Sequence, residues 1–93
     1  MYSIEAEEFK QRITSILMKA DSNIKADDLY FSGKTIRGYY VDYMPKHPEI
    51  TAADFIVHQD FDGKISVHGN MNALIPTIHH YKSIDDFERS MDG

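Results

Sequence analysis

The sequence predicts an α+β domain in which two helices cover one face of an antiparallel sheet. Three observations support this: helical periodicity at both ends, β-branched and aromatic segments between them, and turns too short for parallel connections. A chain of 93 residues has room for one hydrophobic core, so residues 1–93 are expected to form a single domain. The expected order is an N-terminal helix, a meander of four or five strands and a short C-terminal helix, packed as a two-layer sandwich.

The first element is a helix, predicted over about residues 3 to 20. Ser3 is the expected N-cap, and three glutamates follow it in the first turns, where the helix dipole favours negative charge. The helix is expected to end before residues 21–23, which lead the chain away from it. Apolar side chains recur on one face at helical spacing, at Phe9, Ile13, Ile16, Leu17 and Ala20.

Two strands joined by a turn are expected next. Residues 29–31 predict a short strand, and residues 32–33 a turn, because Gly33 can adopt a positive φ without steric cost. The segment 35–44 is β-branched and aromatic, as strands prefer. Alternation directs Tyr39 and Val41 toward the core and places Tyr40 and Asp42 together on the other face of the strand.

A second hairpin is predicted from strands at about residues 53–59 and 64–69. Residues 61–63 form its three-residue loop, with Gly63 in the left-handed position of a β-bulge. A slip of one residue would misalign the apolar sets of the two strands. The expected register brings two cross-strand pairs to one face, Val57 with Val67 and Gln59 with Ile65.

Loops and a C-terminal helix complete the chain. Two prolines exclude a central strand at residues 45–49, and residues 69–72 predict another loop. A last strand is expected within residues 74–81, where Pro76 either places the strand at an edge of the sheet or makes it begin just after the proline. Ser83 followed by Asp86 resembles a capping box. Three apolar residues then follow at helical spacing, Ile84, Phe87 and Met91.

Composition and charge exclude several classes of function. Ten basic residues against fifteen acidic ones give a net charge of −5, and the basic residues are scattered singly. Direct binding to nucleic acid or to an anionic membrane is therefore not expected. The absence of cysteine excludes disulfides, thiol catalysis and sulfur-ligated zinc, and it suits a cytoplasmic protein. Residues 1–8 lack the apolar stretch of a signal peptide.

The acidic residues form short clusters, at residues 5–8, 27–28, 60–62 and 85–88. One interpretation is a solubilising surface. The other is an acidic face that includes Asp60, Asp62, Asp85 and Asp86 and imitates nucleic-acid phosphates toward a basic partner. In size, acidity, lack of cysteine and mixed α/β order, the chain resembles small phage and mobile-element proteins, among them DNA-mimicking anti-CRISPR proteins. This resemblance in composition implies, as one hypothesis, an inhibitor of a nucleic-acid-binding enzyme.

Two of the five histidines are candidate metal ligands. The expected register pairs His58 with Ser66 and Ile56 with His68, so the two imidazoles are diagonal neighbours on the face opposite the core, and Asp60 lies on the same face. Two imidazoles and a carboxylate form a ligand set that zinc accepts. Exposed structural histidines are the competing interpretation, because diagonal neighbours are far apart for one ion. A metal- or small-ligand-binding domain is thus an alternative, and no cofactor is expected.

No catalytic constellation is found in the sequence. The serines lack a nucleophile-elbow pattern, and residues 33–35 lack the first glycine of a phosphate-binding loop and precede a strand. Asp60 and Asp62 flank an exposed hairpin tip that offers no cleft for acid–base chemistry. We therefore expect a non-enzymatic protein.

Tyrosines are concentrated in the second predicted strand, where Tyr39, Tyr40 and Tyr43 are followed by Met44. Tyrosine suits surfaces with one apolar and one wet side, as in protein interfaces, although partly buried sheet tyrosines are the ordinary alternative. The sequence therefore predicts a protein-interaction module of the accessory or adaptor type, with a sheet-edge homodimer as one form. Either these four residues or the acidic clusters are its expected contact surface.

Overall fold

The sheet is an antiparallel meander in which five strands follow one another in chain order. A computed structural model describes residues 4–45, 53–69 and 77–92. The predicted α+β architecture is confirmed, with five strands between two helices. The elements are α1 (Ile4–Ala20), a 3-10 turn (Ala26–Asp28), β1 (Leu29–Thr35), β2 (Gly38–Tyr43), β3 (Phe55–Gln59), β4 (Ile65–Gly69), β5 (Thr77–Tyr81) and α2 (Ile84–Asp92).

Helix α1 has the predicted boundaries, and its proposed N-cap Ser3 lies outside the described residues. The apolar face is shifted toward the N-terminus: Ala6 is buried, whereas Ala20 is exposed. The predicted end of the helix is also confirmed, since the Asp21 amide donates to the Leu17 carbonyl at 3.0 Å. The remaining buried residues of the helix are the predicted ones, Phe9, Ile13, Ile16 and Leu17.

The first hairpin differs from the prediction. Its turn lies at residues 36–37, and Gly33, expected in the turn, lies inside β1 with φ 76°, where the register shifts between Phe31 and Lys34. A left-handed glycine suits a bulge as well as a turn, which is why the prediction from the sequence wrongly put Gly33 in the turn. Thr35 makes the true turn: its Oγ1 accepts from the Arg37 amide at 3.1 Å and donates to the Gly38 carbonyl at 2.7 Å.

The second hairpin has the predicted register, including the pairs Val57–Val67 and Gln59–Ile65. Gly63 has φ 88°, and its amide donates to the Asp60 carbonyl at 3.1 Å to close the turn. The Asp60 carboxylate accepts from the amides of Asp62 and Lys64 at 2.9 and 3.0 Å. An Asx-type turn and a left-handed glycine therefore fix this register together.

The C-terminal elements follow the prediction where the structure describes them. β5 begins at Thr77, and residues 70–76, which include part of the predicted loop and the start of the predicted strand, lie outside the described residues. Ser83 Oγ accepts from the Asp86 amide at 3.2 Å, as a helix cap does. Phe87 is buried, whereas Met91 is 38% exposed.

Both helices pack on the same face of the sheet, called here the inner face. One row of cross-strand partners on this face runs from Tyr39 through Gln59 and Ile65 to Tyr81. The ring of Phe9 in α1 packs on Tyr39 at 5.8 Å between centroids, and Phe87 in α2 packs on Tyr81 at 5.2 Å. The two layers therefore share one core, and the opposite sheet face carries no helix in the described part of the chain.

An ion pair joins the two helices at the surface. The Arg12 guanidinium in α1 binds the carboxylate of Asp85 and lies 3.2 Å from that of Glu88, both in α2. The hydrogen bond from Arg12 lowers the pKa of Asp85 below its ordinary value of 3.8.

Glycine at position 38 is expected to be indispensable. Gly38 has φ 122°, and a Cβ there would overlap the Gln59 carbonyl oxygen and lie 2.9 Å from the Asp60 Cα. Gly63→Ala is the matched control, because its Cβ would meet open space and add a left-handed strain of about 1–2 kcal/mol. Gly38→Ala should destabilise by about 2 kcal/mol more than the control, measured by urea denaturation. Equal losses would contradict the backbone clash.

Removal of the Arg12 guanidinium, which joins the two helices, should raise the pKa of the carboxylate that it binds. In Arg12→Gln, the pKa of Asp85 should rise toward 3.8, measured by carboxyl NMR. A lowered folded pKa stabilises the fold above the unfolded value, and this contribution disappears as pH falls through the folded value. The loss in Arg12→Gln should therefore be present at pH 7 and fade in acid. Arg89→Gln is the control and should move the pKa of Asp85 less, because Arg89 acts on it only at a distance.

Candidate functional site: the helix-free face of the sheet

The sheet face opposite the helices, called here the outer face, is built from two rows of cross-strand neighbours. Strand alternation places these side chains on the side away from the core, and none of them is buried. The first row is Tyr30, Asp42, Ile56, His68 and Ile78. The second row is Tyr40, His58, Ser66 and His80. The face therefore runs across all strands and is open to contact.

The outer face differs in chemistry from the rest of the chain. It carries aromatic, aliphatic and imidazole groups, and Asp42 is its one carboxylate, although the whole chain has a net charge of −5. Two of its large apolar residues are well exposed, Ile78 at 52% and Tyr30 at 38%. A patch of aromatic, aliphatic and imidazole groups with a single carboxylate resembles the centre of protein interfaces, which is enriched in aromatic residues and depleted of charged ones.

A stacked pair holds the middle of this face in place. The rings of Tyr40 and His58 lie 4.4 Å apart between centroids at an interplanar angle of 18°. His58 Nε2 lies 2.6 Å from the Arg37 carbonyl oxygen, so this nitrogen carries the proton and donates it. The pair thus presents a fixed aromatic surface whose imidazole is anchored to the β1–β2 turn.

The metal hypothesis receives no geometric support. The pairs His58–Ser66 and Ile56–His68 are confirmed, which leaves the two imidazoles diagonal to one another. His58 Nε2 is engaged with a carbonyl, and the Asp60 carboxylate is engaged with turn amides. Within residues 4–45, 53–69 and 77–92, no three His, Asp or Glu side chains are grouped so that they could hold a metal ion.

Asp42 is an unusual residue for its position. It lies between Tyr30 and Ile56 in the first row, and its side chain forms no salt bridge with any described residue. Partial burial raises the pKa of Asp42 above its ordinary value of 3.8. Within the described part of the chain, the carboxylate is thus partly removed from water with no cation paired to it, an arrangement that is unfavourable for the folded chain by itself.

The structure separates the aromatic residues that the sequence grouped together. Tyr39 is 6% exposed and forms part of the core, as its predicted direction required, so it is not accessible to a partner. Tyr43 lies on the inner face against Phe55 at 4.9 Å, and Met44 is half-buried beside it. Of the predicted aromatic contact residues, Tyr40 is the one on the outer face.

Tyr43 lies in an acidic setting at one end of the molecule. Partial burial raises the pKa of Tyr43, and the nearby carboxylates of Asp28, Asp21 and Asp54 raise it further. The Met44 amide donates to the Asp28 carbonyl at 2.8 Å, which ties this end of β2 to the 3-10 turn.

The acidic residues form two groups at the two ends of α1. Asp60 and Asp62 lie at the β3–β4 hairpin, and Asp85 and Asp86 lie on α2, where they bind Arg12 and Arg89 respectively. The residues next to them, Gln59 and Ile84, line one depression together with Glu5 and Glu8 of α1. The second group of carboxylates, those of Asp21, Asp28 and Asp54, surrounds Tyr43 near the C-terminal end of α1. The 17 residues of this helix span about 25 Å, which separates that group from the glutamates of the first turn.

Sequence reasoning identified the outer face in part. It placed Tyr40 and Asp42 on one side of the second strand, and His58 and His68 on the side away from the core. Its predicted pairing of Ile56 with His68 also placed Ile56 there, whereas it missed Tyr30, Ile78 and His80 as members of the same surface. The signal was present in the alternation of each strand, but the rows can be assembled only when all four registers are known.

The charge of Asp42 is expected to reduce stability. Because its folded pKa is raised, the ionised form is disfavoured at neutral pH, and this cost is lost as pH falls through the folded pKa and below 3.8. Asp42→Asn should therefore raise the free energy of unfolding at pH 7 and give no gain near pH 3, measured by urea denaturation. Asp62→Asn, at an exposed turn position, is the control with little expected change. A destabilised Asp42→Asn at pH 7 would refute this account.

No helix in the described ranges has both the length and the hydropathy needed to cross a bilayer. Comparison with known proteins returns no match to a protein family, to a curated protein or to a solved structure. Function must therefore be inferred from the geometry of the chain itself.

Proposed function

We propose that this chain is a non-enzymatic protein-interaction module, of the accessory or adaptor type, that binds a partner protein through the outer face. The observation that carries the proposal is the helix-free sheet face itself, which presents aromatic, aliphatic and imidazole groups on a chain whose carboxylates lie mostly elsewhere. Depletion of charge and enrichment in aromatic groups are typical of interface centres. A cysteine-free acidic chain fits a cytoplasmic setting for this role.

The rigid stack of Tyr40 and His58 supports binding without a large entropic penalty. Both rings are already ordered in the free chain, the imidazole by its 2.6 Å contact with the Arg37 carbonyl. Ordering side chains on association is a major cost of binding, so a preformed aromatic surface retains more of the contact energy. Such rigid aromatic groups are frequent among the residues that dominate binding energy.

Asp42 indicates the chemistry of the partner. A Lys or Arg side chain placed over the first row would supply the cation that the described residues do not provide. Surrounding apolar groups would exclude water from the pair, and a close charge pair within an interface can couple strongly. We therefore expect a partner whose contact surface is apolar around a central cation.

A surface depression in the described part of the chain does not favour catalysis. It lies between the helices and β3 and is lined by Glu5, Glu8, Phe9, Arg12, Gln59 and Ile84. Its guanidinium is already bound to two carboxylates of α2, which leaves no cation poised for a substrate. The acidic-mimic alternative would use the carboxylates near this depression, but those of Asp85, Glu88 and Asp86 are paired with Arg12 and Arg89, which lowers the negative charge they offer to a basic partner. We therefore favour the outer face.

Binding should depend on the outer face and not on the acidic hairpin. The tagged chain would be used to capture partners, identified by mass spectrometry, and the affinity of each would be measured for two variants. The double variant Ile56→Thr, Tyr40→Thr places β-branched threonine at both strand positions, which suits a strand, and should weaken binding by about tenfold or more. Glu5→Gln with Asp62→Asn, the control, should bind as wild type.

The reverse pattern would refute the proposal. If the control loses a nucleic-acid-binding enzyme while the outer-face variant retains it, the acidic surface is the interface. A direct partner with equal affinity for both variants would also exclude the outer face. Thermal unfolding of each variant establishes that a loss of binding is not a loss of fold.

A further inference from the structure

The tip of the β3–β4 hairpin carries an Asp–Gly dipeptide in an open setting. Ten aspartates occur in the chain, and only Asp62 and Asp92 precede a glycine. Asp62 is exposed, and its carboxylate forms no salt bridge or hydrogen bond with any described residue. A Cβ built on Gly63 would meet open space. The Asp62 carboxyl can therefore approach the Gly63 nitrogen without a steric barrier from a following side chain.

We propose that Asp62–Gly63 is a site of spontaneous isomerisation, where the aspartyl residue converts to isoaspartate. In the first step the Gly63 nitrogen attacks Cγ of the protonated Asp62 carboxyl. A succinimide ring closes, and the amide proton and the carboxyl hydroxyl leave together as water. In the second step, water adds to the main-chain carbonyl carbon of Asp62 and breaks its bond to nitrogen. The main chain then runs through Cβ and Cγ, and the mass of the chain is unchanged.

The hairpin restrains this reaction through the hydrogen bonds of its turn. The Gly63 amide, which must lose its proton during the attack, donates to the Asp60 carbonyl at 3.1 Å. The Asp60 carboxylate accepts from the amides of Asp62 and Lys64 at 2.9 and 3.0 Å, and these bonds hold the loop closed. The reaction therefore requires a local opening of the hairpin, and Asp60 controls how often that opening occurs.

Local opening at this position does not require the core to unfold. Phe61 is 56% exposed and Asp62 is exposed as well, so the loop is held mainly by hydrogen bonds at the surface. Segments of this kind open at a lower free energy than buried strands do. Conversion adds one backbone atom to a loop whose length fixes the register of β3 against β4, so the isoaspartyl chain should be less stable than the original.

Storage of the folded protein at pH 7 tests the proposal. Wild type should accumulate isoaspartate at position 62 without a change in mass, located by electron-transfer mass spectrometry of its peptides. Asp62→Glu keeps the charge, but its longer side chain closes the corresponding ring far more slowly, so it should show no conversion there. Asp60→Ala removes the acceptor of two amides and should speed the conversion at Asp62 by about tenfold.

Arg12→Gln is the matched control for Asp60→Ala, because it removes the ion pair between the helices and leaves the hydrogen bonds of the hairpin in place. It should convert at the wild-type rate. A synthetic peptide of residues 58–66, which lacks the rest of the fold, gives the rate of the unrestrained dipeptide.

Three results would overturn the proposal. The first is a wild-type protein without isoaspartate at position 62 when the peptide has largely converted. The second is an equal rate in wild type and Asp60→Ala. The third is an equal acceleration by Arg12→Gln and Asp60→Ala, which would assign the reaction to globally unfolded chains. The outer-face proposal stands or falls separately, because none of these measurements involves a partner.

Discussion

Burial of the middle strands against α1 determines the surface on the other side of the sheet. Val41 and Val57 are cross-strand partners, almost wholly excluded from solvent, and they share one core with Phe9 and Ile13 of the helix. Since side chains alternate with period two, these burials direct Tyr40, Asp42, Ile56 and His58 outward. The outer face is therefore a consequence of the core. A slip of one residue in the register of a strand would turn its buried side chains outward and its outer-face side chains inward.

Two turns maintain that constraint at the ends of the strands. Gly38 begins β2 where the chain passes close to the end of β3, in a space that a methyl group would overfill. Asp60 and Gly63 close the next hairpin with side-chain and backbone hydrogen bonds. The residues that matter most for the surface chemistry of this chain are thus partly turn residues that belong to no surface patch.

Local signals were sufficient for much of the fold. The apolar stripe of α1, the cap at Ser83 and the hairpin closed by Gly63 each depend on residues close in sequence, and each was predicted. The β1–β2 turn was not, because Gly33 satisfies a turn and a bulge equally well, and the decisive bonds come from the Thr35 side chain. The outer face was only partly predicted, since Tyr30 and Ile78 join it through four successive registers.

The two faces of the sheet also contribute differently to the stability of the fold. Core residues on the inner face supply the favourable burial, while the outer face retains at Asp42 a carboxylate that forms no salt bridge with any residue the structure describes. Proteins commonly tolerate such local losses where a surface serves binding, provided that the core makes up the difference. The two edge strands also differ: β1 contains a register shift, whereas β5 pairs with β4 without one.

The meander has a consequence for the order in which the chain folds. Each strand pairs with the one before it, so the ladders need only short loops to close, and such local topologies fold quickly. The contact between Arg12 and Asp85 is the opposite case, since it joins residues 73 positions apart. It can form only after the strands between them have assembled. We therefore expect this link between the first and last helices to retard unfolding while leaving the rate of folding almost unchanged.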